Sequence, residues 1–237
     1  MTENSVKYKV IFFDLDRTLW DFETNSSEAL YEMYEDFQLK KYGVNNFHHF
    51  LQVYRETNER YWEQYRIGGI TKEYLRVVRY ADTLQYFGVD HPKLAVRLGE
   101  AYVEISPRKK KLVPGTEEVL ELLKSKGYQL FVITNGFEEV QRIKLSNCGI
   151  QHYFEALITS ERAGVKKPNR KIFDYALKLA ETIPQASLMV GDDLQADILG
   201  AKSVSMDQVY YNPNKIKHQE EITYEISRLS EIEGLGL

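Results

Sequence analysis

Cysteine is nearly missing from this chain: Cys148 is the only one among 237 residues. A single thiol closes no internal disulfide and builds no cysteine zinc cluster, so the fold must hold without staples, and a reducing cytoplasm is the expected setting. Long hydrophobic runs are missing too. Stretches such as Val10-Ile11-Phe12-Phe13 and Leu130-Phe131-Val132-Ile133 are short, whereas a membrane helix needs about 20 apolar residues. The opening Met1-Thr2-Glu3-Asn4 lacks the basic-then-apolar order of a secretory signal. Neither charge sign dominates: 31 Lys and Arg stand against 35 Asp and Glu, for a net charge of −4. That balance argues against a nucleic-acid polymer as partner and leaves room for a local anion site. The 5 histidines are scattered and show no HExxH spacing. His48-His49 is read as a pair of exposed turn residues.

A composition of 43% hydrophobic and 28% charged residues excludes a disordered chain. The length, set against about 150 residues per domain, implies one large domain or a core with an insert. Aromatics are plentiful at 13%, with 17 tyrosines.

The two halves differ in periodicity. Apolar runs at Tyr8 to Phe13, Tyr128 to Ile133, Leu157 to Thr159, Leu188 to Val190 and Val209 to Tyr211 read as buried strands. Between the later runs lie amphipathic helices over Thr116 to Lys126, Val140 to Cys148 and Lys171 to Ala180, the first two stopping at Gly127 and Gly149. This alternation predicts a parallel sheet covered on both faces. The segment 20–112 has no clear strand run. There Leu30, Met33, Tyr34 and Phe37, then Tyr54, Tyr61, Trp62 and Tyr65, recur at helical spacing, with loops at Gly43, Gly68-Gly69 and Gly88. It reads as a helical insert after the first strand. More than half of the tyrosines fall inside it.

Four motifs each follow a predicted strand, at the sheet edge where open α/β folds bind ligands. Asp14-Leu15-Asp16 puts two carboxylates on one side of an extended segment. Their repulsion raises one pKa unless a hard divalent cation such as magnesium sits between them, and one carboxylate can then be a nucleophile while the other moves protons. Thr134-Asn135-Gly136 offers a hydroxyl, an amide and free N–H groups for an anion. Lys166-Lys167-Pro168 offers a compact positive charge on a stiff loop. Gly191-Asp192-Asp193, followed by Asp197, offers further metal ligands. Each has a plainer reading: a solvated strand end, an N-cap, a surface lysine pair, and acidic residues at a helix start. Their order in the chain carries the weight.

In that order the motifs resemble those of the haloacid dehalogenase-like (HAD) hydrolase superfamily, and the likeness spans nearly the whole chain. A narrower similarity is to the YjjG-type bacterial pyrimidine 5′-nucleotidases. It rests on Phe12-Phe13-Asp14, on Trp62 and Tyr65 before Gly69-Ile70-Thr71, on Ile133-Thr134-Asn135-Gly136-Phe137, and on Lys167-Pro168-Asn169 with Ile172-Phe173-Asp174. Arg17 stands where many relatives carry glycine.

The resemblance implies a Rossmann-like parallel-sheet core over 1–19 and 113–237, with a helical cap of the C1 type over 20–112. It implies that Asp14 attacks phosphorus, and that Asp16 protonates the leaving oxygen and then activates water. Magnesium would be held by Asp14, the Asp16 carbonyl and Asp192, supported by Asp193 or Asp197. Thr134, Asn135 and Lys167 would bind the phosphoryl group. Asn58, Tyr61, Trp62 and Tyr65 become candidates for contact with a small-molecule phosphomonoester, a nucleoside 5′-monophosphate or else phosphoglycolate or a sugar phosphate; they are equally well read as the interior of a helix bundle. Either a monomer or a dimer is compatible with the sequence. A dehalogenase would have no need of an acid at Asp16. A phospho-accepting signalling domain would be about half this length, with its Lys-Pro pair after the last acidic motif rather than before it. A pure binding module would leave Asp16 and Lys167 without a purpose.

Overall fold

The structure is a computed structural model that describes residues 7–237. Met1–Asn4, read above for a leader, lies outside the described residues. In chain order the first elements are β1 (Val10–Phe13), α1 (Phe22–Asp36), α2 (Phe47–Arg66), α3 (Lys72–Tyr86) and α4 (Pro92–Ile105). Then come α5 (Thr116–Ser125), β2 (Gln129–Thr134), α6 (Glu138–Asn147), β3 (Phe154–Thr159), α7 (Ser160–Ala163) and α8 (Arg170–Leu179). The chain closes with β4 (Ser187–Gly191), a π-helical turn over Leu194–Leu199, β5 (Asp207–Tyr211) and β6 (Tyr224–Ile226).

The fold is a Rossmann-like parallel-sheet core with a helical cap unit inserted after its first strand. The strands pair in the order β3-β2-β1-β4-β5-β6, and every pairing is parallel. Alternation of side chains explains why β1 is a continuous apolar run. Ile11 and Phe13 pack with Val119, Leu120, Leu130, Val132 and Leu145 on one face. Val10 and Phe12 pack with Phe131, Ile133, Ile172, Phe173 and Met189 on the other. Ile11, Phe12 and Phe13 are wholly buried, each worth about 1.5–3 kcal/mol relative to exposure. Gly127 and Gly149, both at positive φ, end α5 and α6 as glycine at a helix C-terminus does.

The helical unit spans Glu23–Lys109, and residues 7–22 belong with Lys110–Leu237. Each boundary falls a few residues inside the 20–112 expected from sequence, because Trp20 is wholly buried in the core cluster and bridges to Leu112. Inside the helical unit Leu30, Met33, Tyr34, Phe50, Tyr54, Tyr80, Leu94 and Leu98 form a separate apolar core. Gly99 lets α4 approach the Arg76 carbonyl of α3 more closely than a Cβ would permit. His48 and His49 are exposed as expected, but they lie in the first turn of α2 rather than in a turn; Asn46 caps that helix by accepting from the His49 N–H at 3.0 Å. The edge strand β6 was not anticipated. No helix among the described residues is long and apolar enough to cross a membrane.

Candidate active site

All four motifs meet at the carboxyl edge of the sheet. Asp14 follows β1, and its N–H donates to the Val190 carbonyl of β4 at 2.9 Å, which continues the ladder one residue beyond the strand. The loop after it turns back sharply. Arg17 adopts φ +67°, the left-handed region that glycine enters freely, which accounts for the glycine many relatives carry there. The Arg17 guanidinium lies 4.4 Å from the Phe22 ring centroid.

Lys167, between α7 and α8, reaches under this loop. Its buried Nζ donates to Asp14 Oδ1 at 2.6 Å, to Asp197 Oδ1 at 2.5 Å and to the Ile133 carbonyl at 2.8 Å. Three acceptors match the three hydrogens of an ammonium group. Burial alone would lower the lysine pKa; the two carboxylates outweigh it and hold the group charged. Lys166 is half-exposed beside it.

Asp14, Asp192 and Asp197 form the acidic group of the site, with one carboxylate oxygen from each lying within 4.8 Å of the others. Burial is the main cause that raises the pKa of each. Lys167 opposes this at Asp14 and Asp197, while Asp14 adds to it at Asp192. Thr18 donates to Asp192 Oδ1 at 3.0 Å. Three crowded hard oxygen donors suit a divalent cation, which relieves the repulsion that burial amplifies. The structure brings Asp197 into this group. The Asp193 carboxylate instead caps the π-helical turn, accepting from the Gln195 and Ala196 N–H groups at 3.0 and 2.9 Å. Gly191 is needed for the arrangement, since a Cβ there would collide with the Asp197 carboxylate.

On the other side, Thr134 ends β2. Its hydroxyl oxygen accepts from the Gly136 N–H at 3.0 Å and from Gln141 Nε2 at 2.7 Å. The side chain of Asn135 grips the Lys167 main chain twice, accepting from its N–H at 2.8 Å and donating to its carbonyl at 3.0 Å. Asn135 thus fixes the lysine loop. Asp16, a quarter exposed, is engaged through both oxygens: Lys144 Nζ donates to Oδ1 at 2.5 Å and Gln141 Nε2 to Oδ2 at 2.8 Å. Sequence reading missed Gln141 and Lys144, which lie on α6. The signal available was their spacing with Leu145, which puts two polar residues on the stripe that faces the sheet.

A family model of haloacid dehalogenase-like hydrolases matches residues 8–205. The chain belongs to this family. As an HAD-like hydrolase it has curated relatives that match nearly end to end. The pyrimidine 5′-nucleotidase YjjG of Escherichia coli K12 is 33% identical, over 97% of this chain and 98% of that protein. A glyceraldehyde 3-phosphate phosphatase of Methanothermobacter thermautotrophicus is 32% identical, over 86% and 85%. Among solved structures, the magnesium-bound HAD-hydrolase YfnB of Bacillus subtilis superposes with a TM-score of 0.85 at 24% identity, covering 97% of this chain and 98% of that one, a likeness of fold.

The candidate substrate residues of the HAD-like hydrolase lie in its helical unit. Asn58 is buried, and its amide oxygen accepts from Arg79 Nη1 at 2.8 Å. That guanidinium sits among the rings of Tyr54, Tyr80 and Tyr102. Tyr65 is also buried and meets Trp62 edge-on, with centroids 5.5 Å apart. Tyr61 and Trp62 are half-buried, and the Tyr61 hydroxyl donates to Asp82 at 2.6 Å. The four residues expected on one face therefore divide into two interior and two partly accessible side chains.

Proposed function

We propose that the protein is a magnesium-dependent phosphomonoester hydrolase that passes through an aspartyl-phosphate on Asp14 and acts on nucleoside 5′-monophosphates. The observation that carries this reading is the buried Asp14 at the end of β1, held by Lys167 at 2.6 Å within the Asp192 and Asp197 carboxylate group. A nucleophile so placed is fixed in position, and its surroundings are matched to a dianionic phosphate only when cations balance the charge.

In this reading an Asp14 carboxylate oxygen attacks phosphorus, and the bond to the leaving oxygen breaks. Asp16 gives that oxygen its proton. It then takes a proton from the water that hydrolyses the aspartyl-phosphate, which releases inorganic phosphate and restores Asp14. The Lys167 ammonium and the Thr134 hydroxyl, whose own hydrogen is left over once its oxygen has accepted two bonds, hold the phosphoryl oxygens. Asn135 contributes by keeping the Lys167 loop in place. Magnesium held by Asp14, the Asp16 carbonyl and Asp192, with Asp197 in support, would supply further neutralisation of phosphoryl charge. The likeness to the Escherichia coli nucleotidase supports a nucleotide substrate, with Tyr61 and Trp62 as the selecting side chains; Asn58 and Tyr65 serve the interior of the helical unit. A sugar phosphate is the second reading, supported by the archaeal phosphatase relative. The lone, half-buried Cys148 is in keeping with a cytoplasmic setting.

The test is phosphate release from nucleotides, sugar phosphates and phosphoglycolate, with magnesium and again after chelation. Nucleoside 5′-monophosphates should lead, chelation should stop turnover, and Asp14→Asn should abolish it with the fold intact. Turnover retained by Asp14→Asn, or halide release indifferent to chelator, would overturn the assignment.

A further inference from the structure

We propose that Gln141 and Lys144 are positioning residues that fix the orientation of the Asp16 carboxyl group, and that Gln141 ties it to the Thr134 hydroxyl. The inference rests on the acid–base role given to Asp16 above.

The buried residues of α6 are Gln141, Lys144 and Leu145. A stripe that a helix turns toward a sheet is ordinarily apolar, and here two of its three residues are polar. Lys144 is buried to 4% exposure, with its ammonium 2.5 Å from Asp16 Oδ1 and 4.0 Å from the Trp20 ring centroid. Ordering a lysine stem and stripping its charge of water are both unfavourable unless a partner requires that placement. Gln141 is wholly buried. Its amide nitrogen spends both hydrogens, one on Asp16 Oδ2 at 2.8 Å and one on Thr134 Oγ1 at 2.7 Å. Its carbonyl oxygen Oε1 has no hydrogen-bond partner among the described residues. A buried carbonyl without a donor is a standing cost, and packing alone gives no reason to bear it. The opposite amide orientation would set that oxygen against the Asp16 carboxylate. Gly136 makes the reach possible, because a Cβ there would collide with the Gln141 side chain.

The geometric consequence is specific. Each Asp16 oxygen has its own donor, so the carboxyl plane is pinned at two points and cannot turn about the Cβ–Cγ bond. The same amide occupies the Thr134 oxygen, which sends the hydroxyl hydrogen elsewhere. One side chain therefore orients both the group that handles protons and a group that grips phosphate.

The experiment measures kcat/KM over phosphate esters of graded leaving-group acidity, with magnesium, in the full-length enzyme. Wild type is compared with Lys144→Met, Gln141→Met and Gly136→Ala, and Asp16→Asn serves as the reference. Dinitrophenolate departs without a proton, whereas an alkoxide does not. Lys144→Met should lose about tenfold on alkyl esters, a share of the roughly 10²–10⁴-fold that a positioned proton donor supplies, yet stay within about twofold on dinitrophenyl phosphate. Gln141→Met and Gly136→Ala, which also disturb the Thr134 hydroxyl, should lose on every ester and about tenfold more on alkyl esters. Gly136→Ala disturbs the same amide without removing it, so the set stays informative if one methionine variant fails to fold. Equal losses on every ester would reduce the pair to packing and overturn the proposal. If Asp16→Asn itself leaves the leaving-group dependence unchanged, the acid assignment falls and the positioning role with it. If Asp16→Asn steepens that dependence and the other variants do not, only the positioning role falls.

Discussion

Replacing Lys167 by methionine keeps the length of the side chain and removes its charge. The ammonium makes three contacts, to Asp14 Oδ1 at 2.6 Å, Asp197 Oδ1 at 2.5 Å and the Ile133 carbonyl at 2.8 Å. Without it Asp14 and Asp197 lose the ammonium that both contact, and Arg17 lowers only the Asp192 pKa. Breaking a buried ion pair by removing one partner costs about 3–5 kcal/mol. At about 2–4 °C of midpoint per kcal/mol for a chain of this size, metal-free Lys167→Met should unfold about 6–20 °C lower near neutral pH. The loss should also depend on pH, with a definite sign. Burial already raises the pKa of Asp14 and Asp197 above the unfolded value. The native state therefore binds more protons than the unfolded state from about pH 4 upward, and stability falls as pH rises through that window. Removing Lys167 raises both pKa values further, so the deficit should be small near pH 4 and grow toward pH 8. Thermal unfolding of wild type and variant in chelator, at pH 4.5 and 8 (values within about that window), reads this directly. Deficits of equal size at the two pH values, or a stabilised variant at pH 8, would refute the electrostatic account of the site.

Other outcomes follow from single contacts. Gly191→Ala drives a methyl group into the Asp197 carboxylate; overpacking of this kind costs about 1–3 kcal/mol, and turnover should drop by more than about tenfold because the nucleophile's surroundings shift. Steady-state kinetics beside a thermal melt checks both. Asn135→Ala removes two hydrogen bonds to the Lys167 main chain, worth about 2 kcal/mol together, and it should lower kcat on every ester alike, unlike the residues that face Asp16. Trp62→Ala should reduce kcat/KM for nucleoside monophosphates far more than for p-nitrophenyl phosphate; equal losses would assign the ring to packing.

Most of the sheet was legible because β1, β2 and β4 carry short buried apolar runs that lead into motif residues, and because the apolar second halves of β3 and β5 stand out from starts that carry a charge. β6 was not, since Tyr224–Ile226 carries Glu225 in its middle and pairs on one side. Asp14, Thr134 and Asp192 were singled out because each closes or follows an apolar run that the eye can count, and Lys167, beyond β3 and α7, because Pro168 follows it. Gln141 and Lys144 escaped for the opposite reason. On an amphipathic helix a polar residue is assigned to solvent by default, and only the three-dimensional position of Asp16 shows that these two point inward. The choice between Asp193 and Asp197 was likewise closed to the sequence, because both are acidic and four residues apart. It is the cap on the π-helical turn that separates them. The four aromatic and amide candidates of α2 shared a spacing, but burial depends on where α3 packs, which spacing alone does not report.

The interruption of the sheet by the helical unit also has a consequence for synthesis. β1 emerges early, yet both of its partners come late: β2 begins at Gln129 and β4 ends at Gly191. At about 5–20 residues per second, roughly 9–36 s separate the end of β1 from the end of β4 on the ribosome. For about 6–24 s of that time, until β2 ends at Thr134, a strand with no polar side chain, Val10–Phe13, has neither neighbour, and it has only one until β4 is made, while Glu23–Lys109 can assemble its own apolar core behind it. A nascent chain arrested before β4 should therefore hold on to a general chaperone through its first 20 residues or so, and release it once the chain reaches the π-helical turn.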